Sequence, residues 1–353
     1  MKSRTPIISI LIFLMLSLIG CSQNKTTEIP TKDISVGVIE TRGDKEKSRI
    51  LFFDEEMNEI GELPLDFATV GNIFYTPLIS ENELYVIPQG YANKKDEETV
   101  LEIALQDLSV EEYTIEQLAM NSVATNQEFV YTCNTLNGSS YINKCDKDDN
   151  KTESIEIPET YISKLLYADN KLYAFGTANT ENDIMLSYLY VYDDKLNLQE
   201  KINISKCGAD QYKAIEYSGD IFFTSLADSK DQPTKIVSKI STKDNSIELI
   251  ELSQYYPFDL DICDNKLFIS HFNVVQRTGG GLSSYDLNTK QQKYYELNHG
   301  AEQMAIANDK IYILSDWIIY VYDAKTMELI ENVDITQMDS DFSYLSGIFA
   351  VKN

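Results

Sequence analysis

Apolar residues in this chain recur at every second position in short runs, and polar turn residues separate the runs. The stretch LLYADNKLYAFG (165–176) is typical: two apolar runs flank Asp169-Asn170-Lys171, which predicts two antiparallel strands joined by a tight turn. The same unit returns along the chain. Aligned on the first apolar residue after the turn, ENELYVI, NQEFVYT, DNKLYAF, SGDIFFT, DNKLFIS and NDKIYIL bring Leu84, Phe129, Leu172, Ile221, Leu267 and Ile311 into register. Their spacings are 45, 43, 49, 46 and 44 residues, and SGIFAVK at Ile348 adds a step of 37 if it is a further copy. Each copy continues into an alternating segment such as SYLYVYDDK, GLSSYDLNT or WIIYVYDAK. A polar turn then leads to a last short run such as LQEKINI, QKYYEL or ELIENVDI. Period-two alternation rich in Tyr, Ile, Val and Phe predicts strands throughout. The nearest approach to a helical period, VEEYTIEQLAMNS, falls where the repeat calls for a closing strand and a crossing loop.

Four short antiparallel strands every ~44 residues predict the blade of a propeller. Six full copies cover about residues 66–335. The segment SVGVIETRGDKEKSRILFFDEEMNEIGELPL supplies later strands of another blade, and DFSYLSGIFAVKN supplies a first strand. The expected fold is therefore all-β, a seven-bladed ring whose N- and C-terminal strands share one blade. Such closure removes the open edges that would otherwise template aggregation. IFAVKN and SVGVIE compete for the second-strand position of that blade, and a solenoid-type toroid is the alternative architecture. The LYVYD and IYVYDAKT segments resemble YVTN-type and quinoprotein-like bacterial propellers. The Gly-His and Trp-Asp signatures of WD repeats are missing, and Trp317 sits in a tight turn. This resemblance implies a fold and carries no function with it.

The N-terminus reads differently. Lys2 and Arg4 precede an apolar run over 7–19, broken by Ser9 and Ser17, which has the length of a signal-peptide core and falls short of a membrane span. It ends in Leu18-Ile19-Gly20-Cys21, which resembles the lipobox of bacterial lipoproteins. That resemblance implies lipidation of Cys21 and anchoring at the extracytoplasmic side of a cell membrane; the Lys-, Asn- and Ile-rich usage, which suits an AT-rich genome, points to the surface of a Gram-positive cell. The expected organisation is a signal peptide over 1–20, a flexible tether over 21–33 and the propeller over 34–353.

Net charge is −26, and loss of Lys2 and Arg4 with the signal takes the mature chain to −28. Such a surface repels phosphate backbones, so nucleic acid is not an expected partner. Cys133, Cys145, Cys207 and Cys263 show no paired metal or redox spacing and are expected as free buried thiols. CDKDDNKTESI lacks the Gly and the final Glu of a calcium loop and reads as a strand turn.

Function is sought on the face that carries the connections between second and third strands. IPQGYANKKDEET (87–99), FGTANTENDIML (175–186), SLADSKDQPTK (225–235) and SHFNVVQRTGGGLS (270–283) read as long loops on that face, and the opposite turns are short. Aromatic residues of the loops and first-strand starts (Tyr75, Tyr91, Tyr161, Tyr212, Tyr256, Phe258), together with His271, Arg277 and His299, are the candidate ligand contacts. Ordinary packing between blades is the favoured reading of the aromatics, because Tyr is common throughout the strands. His271 and His299, with Glu302, could hold a metal or run acid–base chemistry, as the histidines and glutamate of virginiamycin-type lyases do on a seven-bladed ring. The leading expectation is a non-catalytic, monomeric, lipid-anchored binding or scaffold protein. It needs no cofactor or metal and offers the long-loop face to a protein or small extracellular ligand. A metal-assisted lyase or hydrolase is the alternative.

Overall fold

A computed structural model describes residues 29–72, 76–90, 98–180, 182, 184–338 and 341–351. The chain begins its ring with β1 (Val36–Arg42), β2 (Ser48–Phe53) and β3 (Glu59–Leu65). The second blade comprises β4 (Leu78–Ser80), β5 (Glu83–Val86), β6 (Thr99–Ala104) and β7 (Val110–Thr114). The third comprises β8 (Met120–Thr125), β9 (Phe129–Leu136), β10 (Ser139–Asp146) and β11 (Thr152–Ile157). The fourth follows as β12 (Tyr161–Ala168), β13 (Lys171–Asn179), β14 (Met185–Tyr192) and β15 (Leu198–Asn203). The fifth is β16 (Ala209–Tyr217), β17 (Asp220–Ala227), β18 (Ile236–Ser241) and β19 (Ile247–Glu251). The sixth is β20 (Pro257–Cys263), β21 (Lys266–Asn273), β22 (Thr278–Asp286) and β23 (Gln292–Glu296). The seventh is β24 (Gln303–Ala307), β25 (Lys310–Ser315), β26 (Ile318–Asp323) and β27 (Leu329–Asp334). Last comes β28 (Ser343–Ala350), which pairs antiparallel with β1 and completes the first blade.

The architecture is thus all-β, with seven antiparallel four-stranded blades in a ring. The competition for the closing blade resolves in favour of β1 as its second strand and β28 as its first. Ile348 is therefore not a seventh second-strand position, which explains the short step of 37 residues leading to it.

Second strands read as unbroken apolar runs because both of their faces are buried. Along β13, Leu172 packs into the seam between the third and fourth blades and Tyr173 into the seam between the fourth and fifth. Phe222 and Phe223 of β17, and Leu267 and Phe268 of β21, divide between neighbouring seams in the same way. Each junction between blades holds its own apolar cluster, and the fifth and sixth blades share a second, smaller one, so no single central core exists. The turn at Asp169-Asn170 has φ of 49° and 56°, a left-handed pair that Asp and Asn tolerate and that matches strand twist. Asp264-Asn265 and Asn308-Asp309 repeat it in the sixth and seventh blades.

First strands line the centre and leave one edge unpaired, so neighbouring blades must satisfy it. Asp259 Oδ2 accepts the Met304 N–H at 2.9 Å, Asp261 Oδ2 accepts the Ile306 N–H at 3.1 Å, and Gln303 Oε1 accepts the Ile348 N–H at 3.2 Å. These bonds tie the sixth blade to the seventh and the seventh to the first.

Three expectations change in detail. FGTANTENDIML and SHFNVVQRTGGGLS are mostly strand: Asn179 pairs with Met185, and Asn273 with Thr278, so only short turns join these hairpins. The glycines of β22 make the second extension possible. A side chain at Gly280 would sit 2.3 Å from the His299 carbonyl oxygen, and one at Gly281 would sit 2.2 Å from the Tyr294 hydroxyl. Residues 29–33, read as tether, are docked: Ile29 packs on the first-blade core, and Thr31 donates to the Gln106 carbonyl at 2.7 Å. Cys133, Cys145 and Cys207 are free and buried, whereas Cys263 is free but only half-buried. Burial pushes the Cys133 thiol well above its ordinary range.

Candidate functional site

A hollow of about 390 Å³ lies on the face of the second-to-third-strand connections, where the first, sixth and seventh blades meet. Asn72 comes from the loop after the first blade, Arg277 from the β21–β22 turn and Glu302 from the loop before β24. Asp316 and Trp317 form the β25–β26 turn, and Tyr344 and Leu345 begin β28. The Arg277 guanidinium is largely exposed and lies 3.8 Å from the Glu302 carboxylate, while Glu302 Oε1 accepts the Asp316 N–H at 3.4 Å. Burial is the main cause that raises the Glu302 carboxyl above its usual range, and the Arg277 charge works against it. An indole wall, a mobile-length cation and a half-buried carboxylate fit a ligand that is polar at one end and apolar at the other.

The two histidines flank this region with both ring nitrogens already engaged. His271 Nδ1 lies 2.8 Å from the Tyr255 carbonyl, and its Nε2 lies 2.7 Å from Ser283 Oγ. His299 Nδ1 lies 2.6 Å from the Gly300 carbonyl and Nε2 2.6 Å from the Tyr322 hydroxyl, and the ring stacks on Tyr320 at 3.6 Å. Because a carbonyl only accepts, Nδ1 carries the proton in both rings, and each Nε2 lone pair is taken by a hydroxyl. Burial lowers both imidazoles below their ordinary range, which agrees with neutral rings. A metal at either Nε2 would have to displace Ser283 or Tyr322. Among the described residues, one group of three His, Cys, Asp or Glu donors lies close enough to share an ion. It is Cys263, Asp264 and Asp309, on the short-turn face, so His271, His299 and Glu302 do not form such a group.

The aromatics divide. Tyr212 is buried and stacks on Phe258 at 3.9 Å, in a cluster with Phe272 and Val274. Its role is packing between the fifth and sixth blades. Tyr256 has φ of 61° and bonds through its backbone to Thr234 and Phe272, which fixes the start of β20. Tyr161 is exposed at the start of β12, where its hydroxyl accepts from Asn121 Nδ2 at 3.3 Å. Arg277 and Glu302 meet in the hollow; Tyr161, Tyr212 and Tyr256 do not line it. Tyr75, Tyr91 and Cys21 lie outside the described residues.

Sequence reasoning missed Asn72, Asp316, Trp317, Tyr344 and Leu345 of the hollow, and it missed a polar layer inside the ring. Eight residues ahead of each aligned apolar position stand Thr76, Asn121, Lys164, Lys213, Asp259 and Gln303. Every member of that column is polar. Equivalent positions of a ring face one another, so the column itself was the available signal.

Fold and site together define a seven-bladed propeller with a ligand-sized hollow on its loop face. Among solved structures, it is similar to apo AztD from Citrobacter koseri (TM-score 0.54, 11% identity, 90% of this chain and 98% of that one). It is also similar to the Pan2 WD40 domain of Neurospora crassa (TM-score 0.52, 9% identity, 80% and 87%). Sqt1 of Saccharomyces cerevisiae matches with a TM-score of 0.52 at 11% identity, over 91% and 97% of the two chains. At these identities the likeness shows the fold alone. No protein-family model matches the sequence, and no match is found among curated proteins.

Proposed function

We propose that this is a lipid-anchored extracytoplasmic binding protein that holds a partner or small ligand at its loop face without catalysis. The observation that carries the reading is the hollow lined by Arg277, Glu302 and Trp317, which brings an exposed guanidinium, a half-buried carboxylate and an indole to one place on the loop face. The lipobox-like Leu18-Ile19-Gly20-Cys21 supports attachment at the outer membrane surface. Engagement of both histidines by hydroxyls and carbonyls favours binding over acid–base chemistry. The test is cross-linking on intact cells followed by purification of the full chain. Trp317→Ala combined with Arg277→Gln should lose the species captured by the wild type while the purified protein keeps its melting temperature within a few degrees. Identical capture by the variant would refute the assignment of this face. Cys21→Ala should move the protein from the membrane fraction to the medium, and retention in the membrane would refute the anchor.

A further inference from the structure

The first strands of all seven blades enclose a central channel of about 460 Å³. Its lining runs from Thr76, just before β4, and Lys164 and Lys213 at mid-strand to the exposed Glu81 and Glu216 beside the short turns, at the end opposite the hollow. Bulges in the first strands set the deep end. Register breaks between Gln211 and Ala214 in β16, and between Pro257 and Leu260 in β20, re-aim Lys213 and Asp259.

The charges there do not balance. Lys213 Nζ donates to Thr76 Oγ1 at 2.7 Å across the ring and pairs with Asp259 Oδ1 at 3.3 Å. Asp259 is fully buried, and its two oxygens also accept the N–H groups of Leu260 and Met304. Lys164 is 9% exposed, and its ammonium has no hydrogen-bond or ion-pair partner among the described residues. At this level two ammonium groups thus share one committed carboxylate; the other carboxylates of the channel are Asp261, which accepts the N–H groups of Ile262 and Ile306, and Glu81 and Glu216 at the exposed end. Burial, and then the neighbouring Lys213, bring Lys164 down to about 8, with Asp259 and Cys133 acting in the other direction. The Lys164 ammonium opens on the channel without a counter-ion, and a monoanion between the two lysines supplies one. Above them the wall is mixed: Val123, Leu165, Ala214, Met304, Ile306 and Ile348 border it with side chains largely packed between the blades, and Thr125, Asp261 and Glu216 add polar groups. The volume falls in the range of small-molecule sites.

We propose that this channel is a second ligand site, which takes a small organic carboxylate. Its carboxylate bonds Lys164 Nζ and the remaining Lys213 donor, and its short body lies in the channel above them. The site is independent of the loop-face hollow and stands or falls separately from it.

Calorimetric titration of the purified full chain with hexanoate, inorganic phosphate and chloride tests the assignment. Hexanoate should saturate one site per chain at pH 7. Lys164→Met, which keeps the stem and removes the charge, should weaken it by about tenfold or more. Lys164→Arg should hold affinity within a few-fold, and Arg277→Gln should leave it unchanged. Absent saturable hexanoate binding, equal binding by Lys164→Met, or tighter binding of phosphate than of hexanoate would each overturn the proposal. Should Lys164→Met fail to fold, the wild type decides. Hexanoate affinity that falls as pH rises from 6.5 to 9.5 supports the site, and affinity indifferent to pH overturns it.

Discussion

Asp259 is the residue on which the ring's closure can be tested most sharply. Its carboxylate touches three blades: it accepts from Leu260 in its own strand, from Met304 in the seventh blade and from Lys213 in the fifth. Truncation to alanine leaves the Met304 N–H buried without an acceptor, at a cost of about 1–3 kcal/mol. Stranding Lys213 adds about 1–2 kcal/mol. That is less than for a fully buried pair, because the lysine side chain keeps 17% exposure and its bond to Thr76. The expected loss is about 3–4 kcal/mol, a large part of the about 5–15 kcal/mol that holds a typical domain together. Asp259→Asn retains an acceptor for one N–H and should cost less than the alanine. Lys213→Met placed on Asp259→Ala should recover about 1 kcal/mol by removing the stranded charge. Urea unfolding of the four proteins, read as midpoint shifts at constant slope, checks the series. A loss under about 1 kcal/mol for Asp259→Ala, or no recovery in the double variant, would refute the account of the inner edge.

Two further outcomes follow from the same structure. Because burial lowers both histidines, the unfolded chain binds more protons than the folded one just below about pH 6.5, so stability should fall as pH drops from about 7 to about 5. Melting temperatures across that window should show a shallower decline for the His271→Gln, His299→Gln double variant, and an unchanged slope would contradict the neutral-ring assignment. Gly281→Val drives its side chain onto the Tyr294 ring and should cost about 2 kcal/mol, whereas Gly43→Ala meets nothing within 4 Å and should cost almost nothing in the same denaturation assay.

The fold was legible because its determinants are local and repeated. Leu172-Tyr173-Ala174-Phe175 is apolar at every position since both faces of β13 meet another blade, and Asp169-Asn170 declares its turn by residue type. The loop-face chemistry was less legible. SHFNVVQRTGGGLS looks like a loop for its glycines, yet those glycines let β22 run close beneath the His299 carbonyl as strand. Tyr212 looks like a ligand contact because nothing in its neighbours reveals the Phe258 ring stacked on it. Arg277 and Glu302 were found, but their companion Asn72 comes from the other end of the repeat order, which only ring closure brings near.

The channel layer lies between these cases. Lys164, Lys213 and Asp259 are separated by 49 and 46 residues, the same steps that separate Leu172, Ile221 and Leu267. A linear reading treats each as an ordinary solvent-facing position in an alternating strand. In a ring, residues one repeat apart are neighbours, so a polar column in the alignment is a polar layer in space, with its charges close enough to pair. The bulges in β16 and β20 then turn that layer inward, and alternation alone does not reveal them. The repeat that measures the ring therefore also orders its interior chemistry, and an imbalance within one column, two lysines against one aspartate, becomes an unpaired charge beside an open channel.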